Sequence, residues 1–170
     1  MRNLAIQTLL VAVGLVGAYR PSAAQTTGTA DDLVKRVVAA LAANDQPALN
    51  KLSIDQSEFK KYVWPTFAAQ MSGSNTSADK YYVTYQKVNQ VGVTEATTEL
   101  AGKKWEVVKV SLEPAKKKGK GYQIFGSPLI TLRDDGGQEK SVRFVGGLLE
   151  LDGVYKVTSF YVSPSLRASK

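Results

Sequence analysis

The sequence predicts an α+β domain. Helical periodicity recurs between residues 29 and 92 on either side of a loop at 71–77, β-branched and aromatic runs fill residues 104–163, and Asp152-Gly153 joins the last two runs as a hairpin turn. Helices followed by sequential strands give N-terminal helices packed on a strongly bent antiparallel sheet of about four strands. Asp-Gly supplies two positions that tolerate positive φ, as a two-residue type I′ turn requires. That turn sets a register, with Leu151 opposite Val154, Leu148 opposite Val157, Val145 opposite Phe160 and Phe144 opposite Tyr161.

One face of the predicted hairpin then carries Val142, Phe144, Leu148, Tyr155, Val157 and Tyr161. The other mixes Val145, Leu149, Leu151, Val154 and Phe160 with Arg143, Lys156 and Thr158. The first face suits helices; the second, half apolar, is expected to meet a partner or a lid. Gly146-Gly147 interrupts the first strand where side chains would otherwise pack, which predicts a bulge or bend and hence a curved sheet.

In chain order, residues 1–24 read as a secretory signal. Arg2 gives a positive start, residues 4–18 are apolar apart from Gln7 and Thr8, and Ser22-Ala23-Ala24 forms a small-residue cleavage pattern before Gln25. The apolar run falls short of the ~20 residues of a membrane span, so no transmembrane segment is expected in the mature chain. The expected location is secreted or periplasmic after cleavage near Ala24, with residues 25–170 forming a single domain that can bury its own core. Cleavage removes Arg2 and Arg20 and no acid, lowering the formal charge from +7 to +5. That is too mild for a dedicated nucleic-acid binder, and none is expected as a partner.

Thr29 with Asp32 forms a capping box before Leu33, Val34, Val37, Val38 and Leu41, which recur at helical spacing as far as Asn44. Asp45 caps a short second helix with Pro47 in its first turn. Asp55 with Glu58 opens a third helix carrying Phe59, Tyr62 and Val63, and Pro65 is expected to stop or kink it at Val63-Trp64. Thr76 or Ser77 caps a fourth, with Tyr81, Tyr85 and Val88 on one face. Residues 93–101 fit a strand by their threonines or a helix by Val93, Ala96 and Leu100 before Gly102, and the helix is preferred. Residues 104–113 form a strand and residues 121–133 a longer one, bent near Gly126-Ser127-Pro128, with residues 114–120 a basic loop between them.

This order of elements resembles the nuclear-transport-factor-2-like superfamily of cystatin-like cones. The matching features are the three N-terminal helices, the later strands and the bent hairpin FVGGLLELDGVYKVTSFYV; the Trp64-Pro65 helix end is similar to secreted bacterial members of that superfamily. The resemblance implies a curved sheet wrapped on helices, a pocket at the wide end of the cone and homodimers through the outer sheet face. Members span isomerases, dehydratases, hydrolases and plain binding modules, so fold does not carry function across.

The chain has no histidine and no cysteine, which removes the usual neutral-pH acid/base, the common nucleophile pairs and the best transition-metal ligands. Asp31-Asp32 and Asp134-Asp135 read as a helix start and a turn. Glu106 and Glu150, on strands, read as cross-strand partners of Lys109 or Lys156. No catalytic residue, metal site or cofactor is assigned. A ring-lined ligand pocket is expected from Tyr62, Trp64, Tyr85, Trp105 and Phe125, the alternative for these side chains being core. Lys116, Lys117, Lys118 and Lys120 could touch a polyanion or an anionic surface, or simply remain solvated. The leading expectation is an exported non-enzymatic module that binds a small apolar ligand or a protein partner. The alternatives are a ketosteroid-isomerase-like isomerase or dehydratase, and an envelope-surface binder using the lysine loop.

Overall fold

The computed structural model describes residues 28–70 and 76–161, so the expected signal segment, residues 71–75 of the expected loop and residues 162–170 lie outside the described residues. Helix α1 (Ala30–Ala42) begins at the expected capping box: Thr29 Oγ1 accepts the Asp32 N–H at 3.2 Å, and Asp32 Oδ2 accepts the Thr29 N–H at 2.9 Å. Asp45 caps α2 (Gln46–Leu52), and Asp55 caps α3 (Gln56–Glu58) through a second reciprocal box with Glu58. These starts rest on contacts three residues apart, and all three agree with the sequence expectation.

The third helix does not stop at Trp64. A π turn, Phe59–Val63, follows α3, the Trp64 N–H bonds Phe59 O five residues back, and α4 (Trp64–Gln70) continues beyond. The widened turn re-aims the carbonyls that the Pro65 ring would otherwise strike, so the proline is absorbed and not obeyed as a terminator. Ser77 caps α5 (Ala78–Leu100), a single helix of 23 residues that takes in the ambiguous segment. Gly102, at φ +72°, leads the chain away and donates its N–H to Ala42 O at 3.2 Å, tying the ends of α1 and α5 together. Val88 is 64% exposed, against expectation. The inward stripe of α5 runs instead through Tyr85, Asn89, Gly92, Val93, Ala96 and Leu100.

Among the described residues seven strands follow, in two antiparallel sheets where one was expected: β1 (Trp105–Ser111), β4 (Leu129–Asp134) and β5 (Glu139–Val142) in one, and β2 (Lys117–Gly119), β3 (Tyr122–Phe125), β6 (Val145–Leu151) and β7 (Val154–Phe160) in the other. Each of the two long strands expected at residues 121–133 and 140–151 is broken into two. The breaks, at residues 126–128 and 143–144, lie opposite each other, and the ladder β3/β6 resumes as β4/β5 with its register shifted by one: Phe125 pairs with Leu148, and Ile130 with Val142. A long hairpin has thus turned a corner, which is how a strongly twisted sheet divides into two layers. The expected basic loop contributes β2, an added edge strand paired with β3.

The final hairpin has the register its turn implied, from Leu151 opposite Val154 to Val145 opposite Phe160, with an irregularity at Gly147. Asp152 (φ +47°) and Gly153 (φ +83°) form the turn, and Glu150 Oε1 accepts the Gly153 N–H at 2.6 Å. Helix α1 packs Leu33, Val34, Val37 and Leu41 against Ile130, Leu132, Phe144, Leu148, Val157 and Phe160, forming the main core. The opposite side of the second sheet, expected to await a partner, is covered by the chain itself. Leu149 lies fully buried under Ile54, Phe59 and Val63, and Leu151 and Ile124 pack beside them. The apolar surface that made this face a homodimer candidate is therefore largely spent within one protomer.

Candidate functional site

The five rings expected to line one pocket divide between two places. Tyr62, Trp64 and Tyr85 join Phe59, Phe67 and Tyr81 in the second cluster, where Phe59 lies 4.7 Å from Tyr85 and Trp64 lies 5.3 Å from Tyr81, centroid to centroid. Trp105 and Phe125 pack against the main core instead. The Trp105 indole donates to Leu100 O at 3.1 Å, and its ring carries the Lys140 ammonium 4.3 Å above it. Phe125 faces Tyr155 at 6.1 Å.

Among the lysines of the basic loop, Lys117 reaches toward Thr66 Oγ1 at 3.5 Å, and Lys116 anchors its backbone N–H on Ile124 O at 2.8 Å. Lys118 and Lys120 are exposed. The strand glutamates have other partners than expected. Glu106 pairs with Arg133 at 2.9 Å, and Glu150 braces its own hairpin turn and accepts from Gln123 at 3.1 Å. Lys156 turns away from Glu150 and pairs with Glu58 at 2.6 Å, with side chains only 12% and 15% exposed.

Helix α2 separates two concavities, and the larger is the candidate site. It is a groove of ≈ 950 Å³ between α1, α2 and the start of β7. Its depth has a simple origin: Ala39 and Ala43, exposed on α1, and Ala40, at the edge of the main core, present methyl groups where longer side chains would fill the space. Ala48 and Leu52 form the α2 wall, and Tyr155 the β7 side. These residues escaped the sequence reading because alanine in a helix signals only helix. The face becomes visible once Arg36, Ala39, Ala40 and Ala43 are placed at i, i+3, i+4 and i+7.

Charge at the groove is unevenly committed. Asp45 and Asp55 are held as helix caps, Asp45 Oδ1 accepting the Ala48 N–H at 3.0 Å and Asp55 Oδ1 the Glu58 N–H at 2.9 Å. The Glu58 N–H, followed by the Ser57 hydroxyl, holds the Asp55 carboxyl below its ordinary value. Lys156 is neutralised by Glu58. Arg36 spends only its Nε, on Asp32 O at 3.3 Å, and neither Arg36 nor Lys51 is in an ion pair among the described residues. The rim carries both signs, but Asp45 and Asp55 are fixed as caps while Arg36 and Lys51 are free to turn to a ligand, and the wall beneath them is apolar.

Among the described residues, no group of three or more aspartates and glutamates is placed to hold a metal ion. No helix among them is long and apolar enough to cross a membrane. No family model, curated protein or solved structure matches the chain.

Proposed function

We propose that this protein is an exported, non-enzymatic binding module whose groove takes a small apolar ligand with an anionic end. The observation that carries the reading is the groove itself: ≈ 950 Å³, walled by Ala39, Ala40, Ala43, Ala48, Leu52 and Tyr155, with Arg36 and Lys51 unpaired at its rim. That volume is at the upper end of the range for small-molecule sites, which are mostly apolar with a few placed polar groups. The tail lies on the alanine face, and the head group meets the two cations. Helices packed on antiparallel sheets are compatible with the resemblance to the nuclear-transport-factor-2-like cones, on which the exported-module part of the reading rests. The commitment of Glu58, Glu106 and Glu150 to structural partners, in a chain without histidine or cysteine, supports a binding role over acid/base chemistry.

The test is a fluorescence titration with 8-anilino-1-naphthalenesulfonate, followed by displacement with dodecanoate. The expected result is a saturable, blue-shifted signal of unit stoichiometry that dodecanoate removes. Ala39→Trp, which fills the groove from an exposed helical position, abolishes it. Arg36→Glu with Lys51→Glu weakens it at least about tenfold, since a hydrogen bond to a charged group contributes about 1.5–3 kcal/mol. No saturable signal, or one indifferent to Ala39→Trp, removes the proposal.

A further inference from the structure

On the other side of α2, a cleft of ≈ 300 Å³ opens between α2, α5 and β7. Five carboxamides line it, Gln46, Asn50, Gln86, Asn89 and Gln90, and Asp55 is its one charged residue. The amides are ordered by one another: Gln90 Nε2 donates to Gln46 Oε1 at 3.4 Å, and Gln46 Nε2 donates to Asn50 Oδ1 at 3.3 Å. Asn89 has its orientation imposed by the backbone, because Oδ1 accepts the Phe160 N–H at 2.6 Å. Both Nδ2 protons of Asn89 are therefore unspent among the described residues.

Aromatic rings complete the wall. Tyr82 and Tyr85 stand 6.0 Å apart with planes 24° from parallel, and the Tyr82 hydroxyl accepts from Gln86 Nε2. The Tyr85 hydroxyl is buried and has no hydrogen-bond partner among the described residues. That hydroxyl is sealed from solvent, so Tyr85 offers the cleft ring surface and not a hydrogen bond.

The lining discriminates by chemistry. An anion finds no lysine or arginine here, and an apolar ligand strands five amides. A neutral ring bearing several hydroxyls matches each feature, because every hydroxyl both donates and accepts, as the amides require, while the ring's C–H face lies against a tyrosine. We propose that this cleft binds a neutral polyhydroxylated ligand, a sugar ring or a cyclic polyol, through Asn50, Asn89, Gln46 and Gln90, with its C–H face against the tyrosine rings. The cleft and the groove lie on either side of α2 and share Asn50, Ser53 and Asp55 where they meet.

The experiment is a titration of the isotope-labelled protein with D-glucose, N-acetyl-D-glucosamine, cellobiose and myo-inositol, reading backbone and side-chain amide resonances by NMR. At least one probe shifts the Asn50 and Asn89 side-chain NH2 signals saturably. Asn50→Ala, at an exposed position of α2, and the double variant Gln46→Ala/Gln90→Ala, at a half-buried and an exposed helical position, each weaken the response by about tenfold. Saturation by none of the four probes overturns the proposal. So does a response that survives both substitutions, which would place the sugar elsewhere. Ala39 lines only the groove, and Gln46 and Gln90 only the cleft, so Ala39→Trp and Gln46→Ala/Gln90→Ala tell the failure of one site from that of the other.

Discussion

Gly92 of α5 lies directly against the backbone of Phe160 in β7: a β-carbon on Gly92 would sit 2.3 Å from the Phe160 carbonyl oxygen. One turn earlier, Asn89 accepts the Phe160 N–H at 2.6 Å. Nearby, Ile54 donates its N–H to Val157 O at 3.0 Å. Together these contacts occupy the free edge of β7, which would otherwise be open to pairing with another chain.

Gly92→Ala therefore destabilises the protein, although alanine is the better helix former by up to about 1 kcal/mol. The clash is with backbone, which cannot rotate aside, and overpacking costs about 1–3 kcal/mol or more. The expected outcome in urea unfolding is a net loss of about 1–2 kcal/mol, from the difference of these terms. A variant as stable as the parent would mean that α5 is not seated on β7.

Lys156 and Glu58 behave as a unit. The pair is neither exposed, where coupling is at most about 1 kcal/mol, nor fully buried, where losing one partner costs about 3–5 kcal/mol. Lys156→Met and Glu58→Gln are each expected to cost about 2 kcal/mol, and the double variant less than their sum. The glutamate change carries an added loss, because Glu58 Oε2 also accepts the Asp55 N–H at 2.9 Å. A double-mutant cycle by urea denaturation measures the coupling, and additive losses would show that the contact contributes nothing.

Alkaline stability depends on Tyr85. Burial, and secondarily Tyr82, pushes its phenol well above the ordinary value. Above about pH 10 the unfolded chain releases this proton and the folded chain keeps it, so stability falls with rising pH by up to about 1.4 kcal/mol per unit. Below that pH the contribution is whole. Tyr85→Phe is expected to flatten the decline and, near neutrality, to leave stability unchanged or higher, because it removes an unpartnered hydroxyl. Tyr155, raised in the same direction by burial and then Glu150, is present in both proteins, so their difference isolates Tyr85. Equal pH slopes for the two proteins would contradict the assignment.

The candidate groove was less legible than the helices around it. Nothing in Ala39, Ala40, Ala43 and Ala48 announces a ligand, because a cavity is defined by what its neighbours fail to fill. The rings that did attract attention carried real information of another kind: Tyr62, Trp64 and Tyr85 meet in one cluster and cover the second face of the sheet. Val88 misled because the helix continued past it. A short helix ending near Gln90 would need Val88 inside, whereas α5, extended to Leu100, is aligned by Gly92, Val93 and Ala96 instead.

The amino-acid sequence by itself determined whatever is decided within a few residues: the caps at Thr29, Asp45 and Asp55, the Asp152-Gly153 turn and the pairing register that follows from it. Such features depend on side-chain to backbone hydrogen bonds and φ preferences, which act locally whatever the rest of the chain does. The bend at Gly126-Ser127-Pro128 was legible too, but the tertiary structure alone decided that it becomes a change of sheet, that the second break falls at residues 143–144 and not at Gly146-Gly147, that the helix passes through Pro65 on a π turn, and that Lys156 finds Glu58 rather than Glu150. Those outcomes depend on which surfaces meet across distant parts of the chain, where packing density and the pairing of buried charge outweigh local preference.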